Sequence, residues 1–238
     1  GARLHHLPVG RSGSVSGHLC PARGAATDLA IVGRKETSEF CLLLAHKNKS
    51  CYAPLMKRAQ SEHRLQDGLV ITIRSLEPKD ASVVIDFVGS MYASSPFLAR
   101  YPEEWNISLD DETAFLKATE ASANRIMLGA FAEEKLVGLS DCLPVSTNQK
   151  IRHRGQCAIS VAPTHANRGV GSLLFGLMLE QARLAGFEQV ELEVVASNQW
   201  AIRLYEKFGF VPIGTISHGF KYKDGSYQDL AIMVCNLI

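Results

Sequence analysis

The stretch Val161–Ser172, V-A-P-T-H-A-N-R-G-V-G-S, closes an apolar strand, turns through Pro163 and enters a helix through Gly169 and Gly171. Cys157 to Val161 reads as the end of the strand. After the turn, Val170, Leu173, Leu174, Leu177, Met178 and Ala182 recur at helical spacing. The two glycines remove side chains where the backbone would meet a ligand, so free N–H groups of the first helical turn can converge on one anion. A phosphate or pyrophosphate is the expected ligand, although two glycines at such a turn can also be turn chemistry alone. The dinucleotide fingerprint requires a third glycine where Leu174 stands, and no Gly-Lys-Ser/Thr follows. A different nucleotide-bearing ligand is therefore indicated.

Upstream of this turn, V-I-T-I-R-S from Val70 alternates as a strand, and Pro78 opens a helix with Ala81, Val84, Ile85 and Val88 on one face. An aromatic connection follows from Ser94 to Leu109. It reads equally as a lid or as a loop packed down by its own rings. Asp110, Asp111 and Glu112 start a second helix through Ala121. Arg125–Ala132, Lys135–Val145 and Gly155–Val161 form an antiparallel run of strands. Downstream, Gly186 ends the helix after the glycine turn, and Q-V-E-L-E-V-V, Gln189–Val195, returns as a strand by a parallel crossover. Ser197 or Asn198 caps a further helix that ends at Gly209, and Ile213–Tyr222 and Tyr227–Asn236 flank Asp224-Gly225 as a hairpin. The expected fold is α+β, a mixed and mostly antiparallel central sheet with helices on both faces and a C-terminal β-hairpin.

The 238 residues are 46% hydrophobic and 21% charged, with a formal net charge of +1, so composition supplies no reason to invoke nucleic acid or a membrane surface as partner. Charge is unevenly spread. Residues 1–68 carry ten Lys/Arg against five Asp/Glu, and the remainder has a net charge of −4. Residues 1–67 lack periodicity and hold no acid before Asp28, so they are expected to be an unpatterned extension, disordered or weakly packed, ahead of one domain over 69–238. Such an Arg- and Ser-rich segment also suits an organelle transit peptide, although its glycines spoil an amphipathic helix. Six cysteines without a C-x-x-C pair suggest neither zinc nor disulfides and fit a reducing cytoplasm. The apolar run Phe40–Ala45 is far short of the roughly 18 residues of a membrane helix. His153, His165 and His218 lack metal-ligand spacing, so no metal is expected.

The order of elements, the A-N-R-G-V-G motif at Ala166–Gly171 behind V-x-P at Val161–Pro163, and N-Q-W-A-I-R-L-Y-E-K-F-G-F at Asn198–Phe210 resemble the GNAT superfamily of acyl-coenzyme A N-acyltransferases. The resemblance spans about 70–238 and implies acetyl-CoA as cosubstrate. It implies that backbone around Ile159, Ser160 and Val161 meets the pantetheine and acetyl carbonyl, and that Ala166, Asn167, Arg168, Gly169, Val170, Gly171 and Ser172 hold the pyrophosphate. Asn198 would lie near the reactive end, and Tyr205 matches the family's general acid. The chain departs from the motif at Ala166, where the family carries Gln or Arg; Arg168 is the substitute at hand. The closing segment resembles the subgroup that acetylates amino acids and similar small amines, acting without nucleic acid or membrane, and leaves a homodimer open.

Acetyl transfer to an amine requires a deprotonated nucleophile, a stabilised oxyanion and a proton for the departing thiolate. Tyr205 can supply the proton; otherwise it is a core aromatic. Glu191 and Glu193 share one strand face, and the spacing of Glu193 to Tyr205 resembles ribosomal-protein alanine acetyltransferases, in which the matching Glu is the base. Glu193 is therefore the expected base, provided burial raises its pKa. Cys157 has no His–Asp arrangement beside it in sequence, so direct transfer is expected rather than an acyl-enzyme. Peptide N-termini are the rival acceptor. A non-catalytic acyl-CoA-binding module is the rival class, motivated by Ala166, and a nucleotide-dependent dehydrogenase is disfavoured by Leu174.

Overall fold

The computed structural model describes residues 57–238. The expectations placed on 1–56, among them the transit peptide, Cys20, Cys41, Cys51 and the Phe40–Ala45 run, lie outside the described residues. The chain order is β1 (Ser61–Arg64), β2 (Val70–Ser75), α1 (Ala81–Ser94), α2 (Leu109–Glu120), β3 (Ile126–Ala132), β4 (Lys135–Pro144), β5 (Arg154–Val161), α3 (Val170–Leu184), β6 (Gln189–Val195), α4 (Gln199–Lys207), β7 (Val211–Lys221) and β8 (Tyr227–Asn236). Eight strands form one sheet in the order β1-β2-β3-β4-β5-β6-β8-β7. Every neighbouring pair is antiparallel except β5 and β6. The α3 crossover between those two strands is what makes them parallel.

Helices cover both faces. On one, α3 drives Leu174, Phe175, Met178 and Ala182, all at 0% exposure, into a core shared with Leu192, Tyr205 and Phe210. On the other, Val84 and Val88 of α1 and Leu116 of α2 close over Met127, Leu139 and Ala158. Burying each such aliphatic side chain contributes about 1.5–3 kcal/mol. The central strand β3 is buried at all seven positions, as expected of a strand covered on two sides.

Local chemistry sets the element ends. Ser108 Oγ accepts the Asp111 N–H (3.1 Å) to start α2, and Asn198 Oδ1 accepts the Ala201 N–H (3.2 Å) to start α4. Asn198, rather than Ser197, is the cap. Glu133 and Glu134 both take positive φ, the backbone a two-residue hairpin needs between β3 and β4. Trp105 Nε1 donates to the Ile85 carbonyl (3.0 Å) and its ring lies 5.5 Å from that of Tyr92, so the aromatic connection is packed onto α1.

The sheet begins earlier than Leu69. Ser61–Arg64 pairs with β2 from Ser61↔Ile73 to Arg64↔Val70. This edge strand, S-E-H-R, alternates only between half-buried and exposed positions, so it has no apolar period to detect. A second structural anchor is the Asp80 carboxylate, 6% exposed, which accepts from both Arg74 guanidinium nitrogens (2.6 and 2.8 Å) and from the Glu77 N–H (2.8 Å). Burial alone would raise its pKa, but these donors outweigh it and hold the carboxyl below its ordinary value. Stability from a depressed acid is fully present above the unfolded-state pKa and is lost as pH falls through the folded one. Asp80→Asn is expected to cost on the order of 3 kcal/mol at pH 7, or about 6–12 °C in melting temperature. The gap to wild type should begin to narrow below about pH 4 and close only as pH falls through the lower folded-state value. Thermal melts at pH 7 and in a series down to about pH 2 check this; a gap independent of pH across that range would remove the ion pair as its cause.

Candidate active site

Strands β5 and β6 pair only through Arg154↔Gln189, Gly155↔Val190 and Gln156↔Glu191. Beyond that point each is held by its outer neighbour, β5 by β4 as far as Gly138↔Val161 and β6 by β8 as far as Val195↔Leu230. The two strands therefore part, leaving a gap in the middle of the sheet. The Ala162 N–H donates to the Val137 carbonyl (2.8 Å), so even-numbered β5 residues turn their backbone groups toward β4. By alternation Ile159 and Val161 turn theirs into the gap, where a ligand can take the place of the missing strand. Ser160 does not border the gap: its backbone faces Leu139 of β4 and its side chain the α1 side of the sheet.

On the α3 side, Ile159 and Val161 line a cleft of about 480 Å3 that also contains Ala166, Asn167, Gly169, Gly171, Ser172, Asn198 and Tyr205. Asn167 (φ 60°) and Gly169 (φ 93°) bend the backbone into α3. Leu173 N–H bonds back to the Gly169 carbonyl (3.0 Å), so the preceding N–H groups, those of Val170, Gly171 and Ser172, have no carbonyl within the helix to serve. Val170 contributes only its backbone, since its side chain is at 0% exposure in the core. A Cβ on Gly171 would stand 3.6 Å from Val161 Cγ2 and 3.8 Å from Leu204 Cδ2, so anything longer would occupy the cleft.

Arg203 and Lys207 bring positive charge to the anion site. His165, Arg203 and Lys207 line the cleft, Lys207 Nζ lies 3.2 Å from Ser172 Oγ, and no acidic side chain among the described residues lines it. Arg168 is instead paired with Asp67 and does not line the cleft. Trp200, 70% exposed with the Arg203 guanidinium 4.5 Å from its ring centre, offers a flat face beside the anion site for a base. Sequence reasoning passed over these residues, although Trp200, Arg203 and Lys207 at i, i+3 and i+7 share one helix face. Donor set, charge and shape thus fit a pyrophosphate-bearing nucleotide with a slender arm reaching the gap.

Tyr205 and Glu193 lie on opposite sides of β6. Tyr205, 1% exposed, packs against Phe175 (5.4 Å) and Phe210 (5.8 Å) on the α3 side and also lines the cleft. Burial pushes its phenol far above its ordinary pKa, with nearby Cys157 and Asp141 adding to the shift, so it keeps its proton. Glu193 is half-buried and shares its face with Glu191. Glu191 is neutralised by Arg154, whereas Glu193 has no ion-pair partner among the described residues. Cys157 is 3% exposed, with its thiol driven up by burial, which disfavours it as a nucleophile.

One buried acid escaped the sequence reading. Asp141 of β4, 4% exposed, is pushed up to about 8 by burial against the opposing pull of the Ala158 N–H. It pairs across the strands with Met127 and Ala158 and so faces the α1 side. The signal was available as one acid in the otherwise neutral run L-V-G-L-S-D-C-L-P. Its charge acts on both Tyr205 and Tyr92. Tyr92 lines a second cleft, about 650 Å3, between the end of α1, the Pro96–Pro102 loop and Gly219–Tyr222. Among the described residues, no group of His, Cys, Asp and Glu could hold a metal, and no helix is long and apolar enough to cross a membrane.

Comparison with known proteins agrees with this geometry. The Acetyltransferase (GNAT) family profile matches residues 93–210. A Spermidine N(1)-acetyltransferase of Vibrio cholerae is 26% identical over 165 residues, 68% of this chain and 91% of its own length. A Phosphinothricin N-acetyltransferase of Streptomyces viridochromogenes is 25% identical over 165 residues, 67% of this chain and 84% of its own. The crystal structure of a GNAT-family acetyltransferase from Streptococcus pneumoniae superposes with a TM-score of 0.67 at 29% identity, covering 70% of this chain and 99% of that one. The gap between β5 and β6, the glycine turn beside it and these matches together make the chain a member of the GNAT acetyltransferase family, whose acetyl donor is acetyl-CoA.

Proposed function

We propose that the protein moves the acetyl group of acetyl-CoA to the primary amine of a small molecule, an amino acid or related amine, by direct transfer in a ternary complex. The observation that carries this reading is a pair of clefts, the anion-binding one on the α3 side of the gap and a larger one lined by the α1 end and β7. Acetyl-CoA would supply an activated thioester. The α3 first turn, Lys207 and Arg203 hold its phosphates, and backbone N–H groups turned into the gap by β5 stabilise charge on the carbonyl oxygen. Glu193 takes a proton from the incoming ammonium on one side of β6, directly or through a water. Tyr205 gives a proton to the thiolate on the other side. The base and the acid are thus separated as nucleophile and leaving group must be.

Among the described residues the sheet starts at Ser61, and we expect a chain beginning at Met56 to contain all that acetyl-CoA binding requires. Calorimetry on that truncation should return full-length CoA affinity; loss of binding or of a cooperative melt would show that 1–55 belong to the functional unit.

Gly171→Val places two methyl groups against Val161 and Leu204 in the cleft and should weaken CoA binding at least about 10-fold, some 1.4 kcal/mol, with the melting temperature little changed. Undiminished affinity in a folded variant would move the phosphate site elsewhere.

Tyr205→Phe keeps the ring and removes the proton, so kcat should fall by about 10²- to 10⁴-fold with CoA affinity nearly unchanged. Glu193→Gln should remove the acidic limb of the pH profile. A wild-type single-turnover rate in Tyr205→Phe would return Tyr205 to a packing role.

A further inference from the structure

Resting on the acetyl-transfer reading above, we propose that the acceptor amine carries an aromatic ring, and that Tyr101, Phe220 and Tyr222 select it by ring-on-ring contact. All three line the 650 Å3 cleft together with Tyr92, Pro96 and Leu98. Each of the three is half-buried, so part of its surface remains for a ligand. A cavity of this size encloses a small organic molecule. Its inner end is Tyr92, which belongs to the apolar layer over Ala158 of β5, the strand that borders the gap. An amine whose nitrogen reaches the gap therefore leaves its remote end among the rings.

Contacts at the rim fix these rings ahead of any ligand. Tyr222 Oη donates to the Pro96 carbonyl (3.0 Å) and the Lys223 N–H donates to Tyr101 Oη (2.8 Å), so both hydroxyls are anchored between the β7–β8 turn and the loop after α1. Lys223 Nζ stands 4.2 Å from the ring centre of Tyr101 and pairs with Glu103. Tyr222 meets Phe220 edge-on, with 6.4 Å between ring centres and the planes at 80°. Gly219, where a Cβ would stand 2.5 Å from Leu230 Cγ, lets β7 press close on β8 and sets the backbone from which Phe220 projects. Side chains already held in this way lose little further freedom on binding. Fixed ring walls favour a flat partner, because an aromatic pair gains from offset or edge-to-face contact beyond the area it buries, whereas a saturated ring of equal size gains only the area. Charge points the same way. Among the described residues no carboxylate lines the cleft, so the additional ammonium groups of a polyamine would meet no ion-pair partner there. The selectivity concerns the end of the acceptor remote from its nitrogen and holds whether or not a carboxylate is present.

The test compares phenethylamine, cyclohexylethylamine, butylamine and spermidine by CoA thiol release with acetyl-CoA as donor. Phenethylamine should exceed cyclohexylethylamine by about 3- to 10-fold in kcat/KM, the advantage of an aromatic contact over area alone. It should exceed butylamine by at least about 10-fold, carried mainly by KM. Spermidine should be the poorest acceptor. Phe220→Leu and Tyr222→Leu should each bring the phenyl-to-cyclohexyl ratio toward one, and a general loss of activity in either variant cancels in that ratio. Equal values for the phenyl and cyclohexyl amines in the wild type, or spermidine as the best acceptor, would overturn the proposal; a ratio unchanged in both variants would overturn the assignment to these rings. Calorimetry of phenethylamine with the CoA-saturated protein separates this inference from the reading it rests on. Binding of phenethylamine with no thiol release from any of the four amines would count against small-amine acetylation and support the ring site, whereas no release and no binding would overturn both.

Discussion

The functional geometry depends on the parting of β5 and β6. A parallel pair that separates after three residue pairs leaves backbone donors and acceptors exposed in the centre of a sheet, and such groups are costly unless water or a ligand meets them. The fold tolerates this because each strand is fully paired on its other side. The rings of Phe175, Tyr205 and Phe210, 5.4 to 5.8 Å apart, pack below the opening on the α3 side. Extended ligand backbone, such as the amide-bearing arm of acetyl-CoA, supplies what the neighbouring strand does not.

Electrostatics marks the cleft beside the glycine turn. Three helix N–H groups without intrahelical carbonyls, together with Lys207 and Arg203, face the space where we propose the pyrophosphate lies. Arg168, the basic residue inside the glycine motif, is diverted to Asp67 on the turn after β1, so the positive charge comes from α4 instead. That exchange answers the loss of a polar side chain at Ala166.

Proton inventory follows burial. Tyr205 sits in an apolar layer that penalises its phenolate, so it keeps its proton near neutral pH. Asp141, buried near it, would add a second negative charge at high cost, and its own carboxyl is held protonated up to about 8. These two groups keep the interior neutral beneath the gap. Glu193, on the face of β6 opposite Tyr205, has no ion-pair partner among the described residues, and this is why we propose it as the base.

Local pattern was sufficient for most of the architecture and for the turn that lines the candidate cleft. Alternation in V-I-T-I-R-S and Q-V-E-L-E-V-V, helical spacing after Gly171, and glycines at Gly186 and Gly209, both with φ near 84°, are short-range constraints that act within a few residues. The glycine turn was legible for the same reason, since Pro163, Gly169 and Gly171 dictate the path of its backbone. The edge strand Ser61–Arg64 was not legible, because an all-polar strand half open to solvent has no apolar period. The start of β7 at Val211-Pro212 was read two residues late, since proline suits a sheet edge but looks like a break in the chain alone. The pairing of Arg168 with Asp67 and the placement of Glu193 and Tyr205 on opposite sides of one strand arise from contacts between distant segments. No local rule encodes them, because strand order and the point where β5 leaves β6 are settled by the packing of the whole sheet.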